Sequence, residues 1–233
     1  GPTGIAAAYF LARGGVQTTI FEREEKLGGV PRYVIPAFRI SDEALDKDVA
    51  LMERLGVEVK CGAPAPSVAE LKKMGYTHIL LATGAWQAGE LGIPGNVRGV
   101  IAWMKEMKQQ VKPCLEGHVV VVGAGNTAMD AARVAKRMGA ASSTIVYRRT
   151  KKEMPADEHE LKLAIDEGVN LVELAAPVEQ KDGRLICNQM KLGEPDASGR
   201  RSPVATGETF EIPCDLVLSA IGEKVDAKLM AEN

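Results

Sequence analysis

The stretch Val119-Val120-Val121-Val122-Gly123-Ala124-Gly125-Asn126-Thr127-Ala128 joins four valines to two glycines and then a small residue, at a spacing that could bind a dinucleotide. Gly123 has the place of a tight turn and Gly125 that of a close backbone approach to a pyrophosphate. Ala128 has that of a small residue packing a helix against a strand. The helix-forming residues that follow include no Pro or Gly, so free amides of a first turn would face an anion. A strand–turn–helix without a ligand is the bland alternative. The next strand, 143–149, ends on Arg148-Arg149, with Lys151 and Lys152 beyond and no acid before Glu153. An acid there would suit the ribose hydroxyls of NAD, whereas the planar fork of arginine suits a 2′-phosphate, so the expected nucleotide is NADP(H). A solvated basic loop is the alternative.

The chain opens on a second loop of this kind. Gly1 and Gly4 have the spacing of the second and third glycines of G-x-G-x-x-G, an alanine-rich helix (3–13) follows, and Glu22 ends the next strand (16–22). Glu22 thus has the place of an acid on an adenosine ribose, as FAD or NAD would require. The strand and first glycine that such a loop needs are not in the sequence, so the expectation is a piece of a larger subunit. Two dinucleotide sites of opposite choice point to hydride transfer between nicotinamide and flavin, in which the cofactors carry the chemistry. No side-chain acid, base or nucleophile is needed, and no catalytic residue is expected.

The elements that must position these loops alternate. Residues 23–40 carry Gly28, Gly29, Pro31 and Pro36 and read as loop; 41–56 is a helix capped by Ser41; 57–60 and 77–84 read as strands. Residues 88–99 are a Gly/Pro-rich crossing. Residues 177–192 form a hairpin around Asp182-Gly183, and two late strands fall within 209–222. Strands alternating with helices predict an α/β fold of two Rossmann-like, doubly wound dinucleotide-binding domains.

Composition excludes other classes. Of 233 residues, 26% are charged, with a net charge of −2, so nothing favours nucleic acid or an anionic membrane. No apolar run has the length of a membrane span. The four cysteines are dispersed without a C-x-x-C pair, which argues against zinc, an iron–sulfur cluster, any other metal site or a dithiol centre in these residues, and for a cytoplasmic protein with reduced thiols.

Several long motifs carry a resemblance. "EKLGGVPRYVIPAFRIS", "GAGNTAMDAAR", "YRRTKKEMPA", "LGEPDASGRRSPV" and "CDLVLSAIG" resemble the small (β) subunit of glutamate synthase and the matching module of dihydropyrimidine dehydrogenase, over nearly the whole chain. Bacterial selenate reductase subunit-like proteins are the nearest likeness. The resemblance implies an FAD domain interrupted by an inserted NADPH domain. Residues 1–97 would be a partial FAD domain, 98–212 the NADPH domain, and 213–233 the return to the FAD domain. It implies NADPH oxidation by FAD, with electrons passed to iron–sulfur clusters in other domains or subunits of a larger complex. Glu22 would then hold the adenosine ribose, and Gly28, Gly29 and Val30 would pass the flavin. Arg39 would reach the FAD diphosphate, a surface ion pair being its alternative. Ala82, Thr83 and Gly84 would form a second flavin-contacting turn, Ala124, Gly125, Asn126 and Thr127 the pyrophosphate loop of the NADPH domain, and Ala220, Ile221 and Gly222 a backbone strip near the nicotinamide. Some relatives have a phosphate-binding arginine where this chain has Pro155, leaving part of that role to Lys151 or Lys152. The family's late Gly-Asp motif is not in the sequence, so FAD held by these residues alone is expected to be weak or absent. Two other readings stay open: a ferredoxin–NADP reductase-like enzyme with a separate carrier, and a nucleotide-binding scaffold without catalysis.

Overall fold

The computed structural model describes residues 1–195, 199 and 201–232. Asp196, Ala197, Ser198 and Arg200 of the "LGEPDASGRRSPV" motif, and Asn233, lie outside the described residues. Packing divides the chain into two compact units, Gly1–Trp86 with Val225–Asn233, and Gln87–Lys224.

In the first unit, α1 (Pro2–Arg13) starts with proline in its first turn, where the missing N–H costs no hydrogen bond. Strand β1 (Thr19–Glu22) follows, then a loop containing one short helical turn, α2 (Val30–Tyr33). Helix α3 (Asp42–Glu53) begins where the Ser41 hydroxyl accepts the Ala44 amide at 3.3 Å. Strand β2 (Glu58–Cys61) pairs in parallel with β1, from Thr19 opposite Glu58 to Glu22 opposite Cys61. Helix α4 (Val68–Lys73) opens on a Ser67/Glu70 capping box. Ala8, Leu27, Met52 and Val57 form a small core between α1, α3 and the β1–β2 pair.

One strand expectation fails here. Residues 77–84 form no strand, and β1 and β2 make a two-stranded sheet. A strand is stabilised by its ladder partner and by burial of alternate side chains. Leu80 and Leu81 are exposed, and among the described residues the segment finds no neighbouring strand. Its apolar, β-branched composition therefore marks what the segment could pair with, not what it pairs with here.

Strand β3 (Ala85–Ala88) contains one boundary between the units. The second unit continues with β4 (Val97–Gly99), α5 (Val100–Lys108), β5 (His118–Val122), α6 (Asn126–Arg137), β6 (Ser142–Val146), α7 (Glu158–Asp166) and β7 (Asn170–Val172). Then come β8 (Ala175–Lys181), β9 (Arg184–Pro195), β10 (Arg201–Pro213) and β11 (Leu216–Ser219). Strand β12 (Glu223–Val225) pairs with β3, and α8 (Ala227–Glu232) ends the described chain. Five parallel strands in the order β4-β11-β5-β6-β7 form the main sheet. Helices α5, α6 and α7 pack in a row, with α6 against β5 and β6. An antiparallel sheet, β10-β9-β8, lies against the other face: Leu185 and Cys187 share a core with Val120, Val122 and Val217. With both faces covered, all of Val119, Val120, Val121 and Val122 are buried, which is why β5 reads as an unbroken apolar run. The β8–β9 hairpin turns at Asp182 (φ 50°) and Gly183 (φ 73°), the two left-handed positions of a type I′ turn. Strand β6 ends at Val146, earlier than the 143–149 expected, so Arg148 and Arg149 lie in the turn beyond it.

The crossing residues belong to the second unit for a specific reason. The Gly89 amide donates to the Gly222 carbonyl (2.7 Å), the buried Ser219 hydroxyl donates to the Gly89 carbonyl (2.8 Å), and the Val217 amide donates to the Asn96 carbonyl (2.9 Å).

Helices α6 and α7 are joined by a charged clamp. Arg133, nearly buried, and Arg137 both bond the Glu167 carboxylate, at 2.6 and 2.7 Å. The Arg137 hydrogen bond, with Arg133 beside it, holds the Glu167 carboxyl down to about 2. The folded carboxyl takes up its proton less readily than the unfolded one. Its stabilisation is therefore whole above about pH 4.5 and is lost as the pH falls towards about 2. Because part of the carboxylate meets solvent, Glu167→Gln is expected to lower stability at pH 7 by about 2 kcal/mol, less than the shift alone would give. Denaturation curves at pH 7 and pH 3 check this: the deficit should shrink at pH 3, and an equal deficit at both would assign it to packing.

Candidate dinucleotide-binding site

The site in the second unit is built at the C-terminal ends of β5, β6 and β11, where an open parallel sheet binds ligands. The Gly123 amide donates to the Val146 carbonyl (3.1 Å) and the Ala220 amide to the Val122 carbonyl (2.8 Å). The glycine turn, the end of β6 and the strip Ala220-Ile221-Gly222 are thereby brought together. Gly123 has φ 141°, and a Cβ there would overlap the Ala220 carbonyl oxygen and stand 2.9 Å from its carbon. The turn therefore needs glycine at 123 for the chain's own backbone.

Gly125 is different. Its φ of −90° and ψ of 175° suit any residue, and a Cβ built on it meets nothing within 4 Å. It caps α6 without a side-chain hydrogen bond, and the first turn of α6 has no acidic residue. The free amides of that turn, the helix dipole and an open cradle over Gly125 fit a pyrophosphate in both charge and space. Ala128, wholly buried, packs the helix onto the sheet as its motif position implies.

The two arginines separate. Arg148 is exposed and, among the described residues, has no hydrogen-bond or ion-pair partner. Arg149 is buried, and its Nε donates to the Arg201 carbonyl of β10 at 2.9 Å. Beyond them the chain makes an arch. Thr150 and Glu153 form a capping box over a 3₁₀ turn at Lys151–Glu153, and the Tyr147 hydroxyl donates to the Glu153 carbonyl (2.8 Å). The Lys151 amide bonds the Glu173 carboxylate. The arch returns to the glycine turn, the Ala156 amide donating to the Ala124 carbonyl (3.0 Å) and the Asp157 amide to Asn126 Oδ1 (3.3 Å). Thr150, Lys151, Lys152 and Arg201 also border a cavity of about 330 Å³. That return contact had no signal in the sequence, since it joins residues 31 positions apart.

In the first unit, Glu22 Oε2 stands 3.8 Å from the Gly1 nitrogen, at the start of α1, and Glu22 Oε1 accepts the Glu24 amide (3.1 Å). A Cβ on Gly29 (φ 60°) would stand 2.6 Å from the Gly1 Cα, and one on Gly4 would stand 3.6 Å from the Ala82 Cβ. Gly1, Gly4, Glu22, Gly29 and the Ala82–Gly84 turn are thus neighbours. Gly1 caps α1 with no side-chain hydrogen bond and no acid in the first turn, which fits a diphosphate there. The Trp86 indole bonds the Thr83 carbonyl (3.0 Å) and pins the turn at Gly84, whose φ is 75°. Val30 begins α2, and Arg39 is half-buried, its amide bonded to the Pro36 carbonyl (2.9 Å).

Sequence reasoning missed Arg32. Its side chain is buried, bonds the Leu27 carbonyl, and donates to Asp46 Oδ1 at 2.6 Å with Asp42 at 3.8 Å. A Cβ on Gly28 (φ 138°) would come 2.6 Å from the Arg32 Cβ, so this arginine explains the glycine. The one available signal was an arginine inside an apolar loop with two aspartates in the following helix. Among the described residues no group of three or more His, Cys, Asp or Glu could hold a metal, and no helix is long and apolar enough to cross a membrane.

Known proteins agree with this geometry. The family model described as pyridine nucleotide-disulphide oxidoreductase matches residues 1–233. The protein YgfK of Escherichia coli (strain K12) is 42% identical over 236 residues, covering 99% of this chain and 23% of that protein. The glutamate synthase [NADPH] small chain of Azospirillum brasilense is 32% identical over 247 residues, covering 95% of this chain and 51% of that one. The chain thus spans about a quarter of the first relative and about half of the second. Mycobacterium tuberculosis FprA in complex with NADPH shares the fold, with a TM-score of 0.78 at 18% identity over 94% of this chain and 68% of that one. A parallel α/β sheet with an open glycine turn, a second helix that starts on an uncapped glycine, and a family model that matches from end to end lead to one assignment: the chain belongs to the pyridine nucleotide-disulphide oxidoreductase family and is similar within it to the glutamate synthase small chain.

Proposed function

We propose that this chain is the NADPH-oxidising flavoprotein module of a larger oxidoreductase, with unit Gln87–Lys224 taking NADP(H) and the other unit taking FAD. The observation that carries the reading is the pairing of the open, acid-free start of α6 with Arg148, which has no partner among the described residues and lies just beyond the neighbouring strand. In the second unit the backbone at Ala124, Gly125, Asn126 and Thr127 receives the pyrophosphate and Arg148 the 2′-phosphate. Gly123 shapes the turn, and Ala220, Ile221 and Gly222 offer backbone near the nicotinamide. In the first unit Glu22 accepts the adenosine ribose hydroxyls, Gly1 and Gly4 open the helix to the diphosphate, and Gly28, Gly29, Val30, Arg39, Ala82, Thr83 and Gly84 line the flavin. Bound FAD supplies the two-electron acceptor for NADPH and hands electrons onward. The protein's part is to bind and align, and no side chain has to move a proton. The acceptors, iron–sulfur clusters among them, belong to further domains or subunits, in keeping with the part-length match to the relatives.

Calorimetric titration with NADPH and NADH tests the nucleotide reading. NADPH should bind more tightly, and Arg148→Ala should remove about tenfold or more of that preference, the worth of one charge-assisted phosphate contact. Equal affinities in the unsubstituted chain would end it. Arg149→Ala should instead lower thermal stability, since its Nε holds the Arg201 carbonyl. Anaerobic NADPH bleaching of flavin in the full-length parent tests the redox half; nucleotide binding without bleaching would point to a scaffold.

A further inference from the structure

Resting on the NADP(H) reading above, we propose that Asn126 is a positioning residue. Its side chain ties the basic arch Arg148–Lys152 to the pyrophosphate turn and so sets the preference for a 2′-phosphorylated nucleotide. Asn126 is the first residue of α6, where a side chain could turn back towards an anion. Its Oδ1 is used otherwise, accepting the Asp157 amide at 3.3 Å. That amide belongs to the N-cap of α7, whose own carboxylate caps the His159 amide at 2.8 Å. The bond therefore joins the starts of two helices, with the arch between them.

The arch has other anchors. The Leu174 amide bonds the Arg149 carbonyl and the Arg149 Nε the Arg201 carbonyl. Further along, the Ala156 amide bonds the Ala124 carbonyl, the Lys151 amide bonds the Glu173 carboxylate, and the Tyr147 hydroxyl bonds the Glu153 carbonyl. Two of these bonds reach the glycine turn, and among the described residues only Asn126 does so through a side chain. It is therefore the link that a substitution can remove without disturbing the backbone. An amide oxygen also suits the place better than a carboxylate. It accepts the same bond while keeping the first turn of α6 free of negative charge, where a pyrophosphate must come. Loosening the link leaves the pyrophosphate cradle and Arg148 in place but frees the side of the arch that carries Lys151 and Lys152 beside the 2′-phosphate, and a cation on a mobile arm gives less affinity than a fixed one.

The test compares Asn126→Ala and Asn126→Asp in the full chain, by titration with NADPH and NADH and by amide hydrogen exchange without nucleotide. Asn126→Ala should weaken NADPH about five- to tenfold while NADH changes less than about twofold, and should speed exchange at Ala156 and Asp157. Asn126→Asp keeps the acceptor. Its exchange and NADPH:NADH ratio should match the unsubstituted chain, even though the added charge weakens both nucleotides by one common factor. An equal fall for both nucleotides in Asn126→Ala would make Asn126 a direct pyrophosphate contact and overturn the proposal. So would an unchanged ratio, unchanged exchange, or a collapsed ratio in Asn126→Asp. Absence of NADPH preference in the unsubstituted chain would be a failure of the NADP(H) reading instead, and the exchange data would still show whether Asn126 anchors the arch.

Discussion

Gly125→Val should leave the second unit folded and cost about a hundredfold or more in NADPH affinity. The backbone at Gly125 already has dihedral angles that valine adopts, and its side chain would enter space that no protein atom occupies. The fold loses only an N-cap preference, about 1 kcal/mol at most. The ligand loses its approach to the α6 amides, equivalent to one or two charge-assisted hydrogen bonds of about 1.5–3 kcal/mol each. Circular dichroism and calorimetry together decide the matter. A folded variant that binds NADPH normally would make the motif a plain structural turn.

Gly123→Ala, two residues away and chemically milder, should do the opposite. At φ 141° a side chain is strained, and its Cβ would overlap the carbonyl of Ala220, a residue whose amide donates to the Val122 carbonyl. Strain and overlap together are expected to cost about 4 kcal/mol or more, a large part of the stability of a domain this size. The melting temperature of the second unit should fall by about 10 °C or more. A variant that melts within a degree or two of the parent would show that the β5 and β11 ends can part without cost. Nucleotide binding by this variant should fail together with the fold, whereas in Gly125→Val it fails alone.

That contrast marks how far the sequence is legible. Strand, turn and helix at 118–137 could be read because β5 is buried on both faces and α6 is free of breakers, both local properties. The hairpin at Asp182-Gly183 was equally readable, since its left-handed turn is made by the two residues themselves. Ser41 announced α3 for the same reason. Residues 77–84 misled because a strand is half a structure: its stability lies in a neighbour, which composition does not specify.

At the site, residue types and spacing by themselves pointed to the chemistry we propose: an anion at the start of a helix, an arginine pair after the next strand, and an acid, Glu22, ending β1. Only the tertiary structure told residues of the same type apart. Arg148 and Arg149 are adjacent and chemically identical, yet β6 stops at Val146, and β10 brings the Arg201 carbonyl to one of them while the other has no partner among the described residues. Gly123 and Gly125 look alike in the motif, yet Ala220 lies against one and open space against the other. The side chain of Asn126 is taken up by Asp157, which returns to it across 31 residues. Local conformation follows from forces between neighbours in the chain. The roles follow from contacts between residues far apart in it, and those exist only once the sheet has set its strand order.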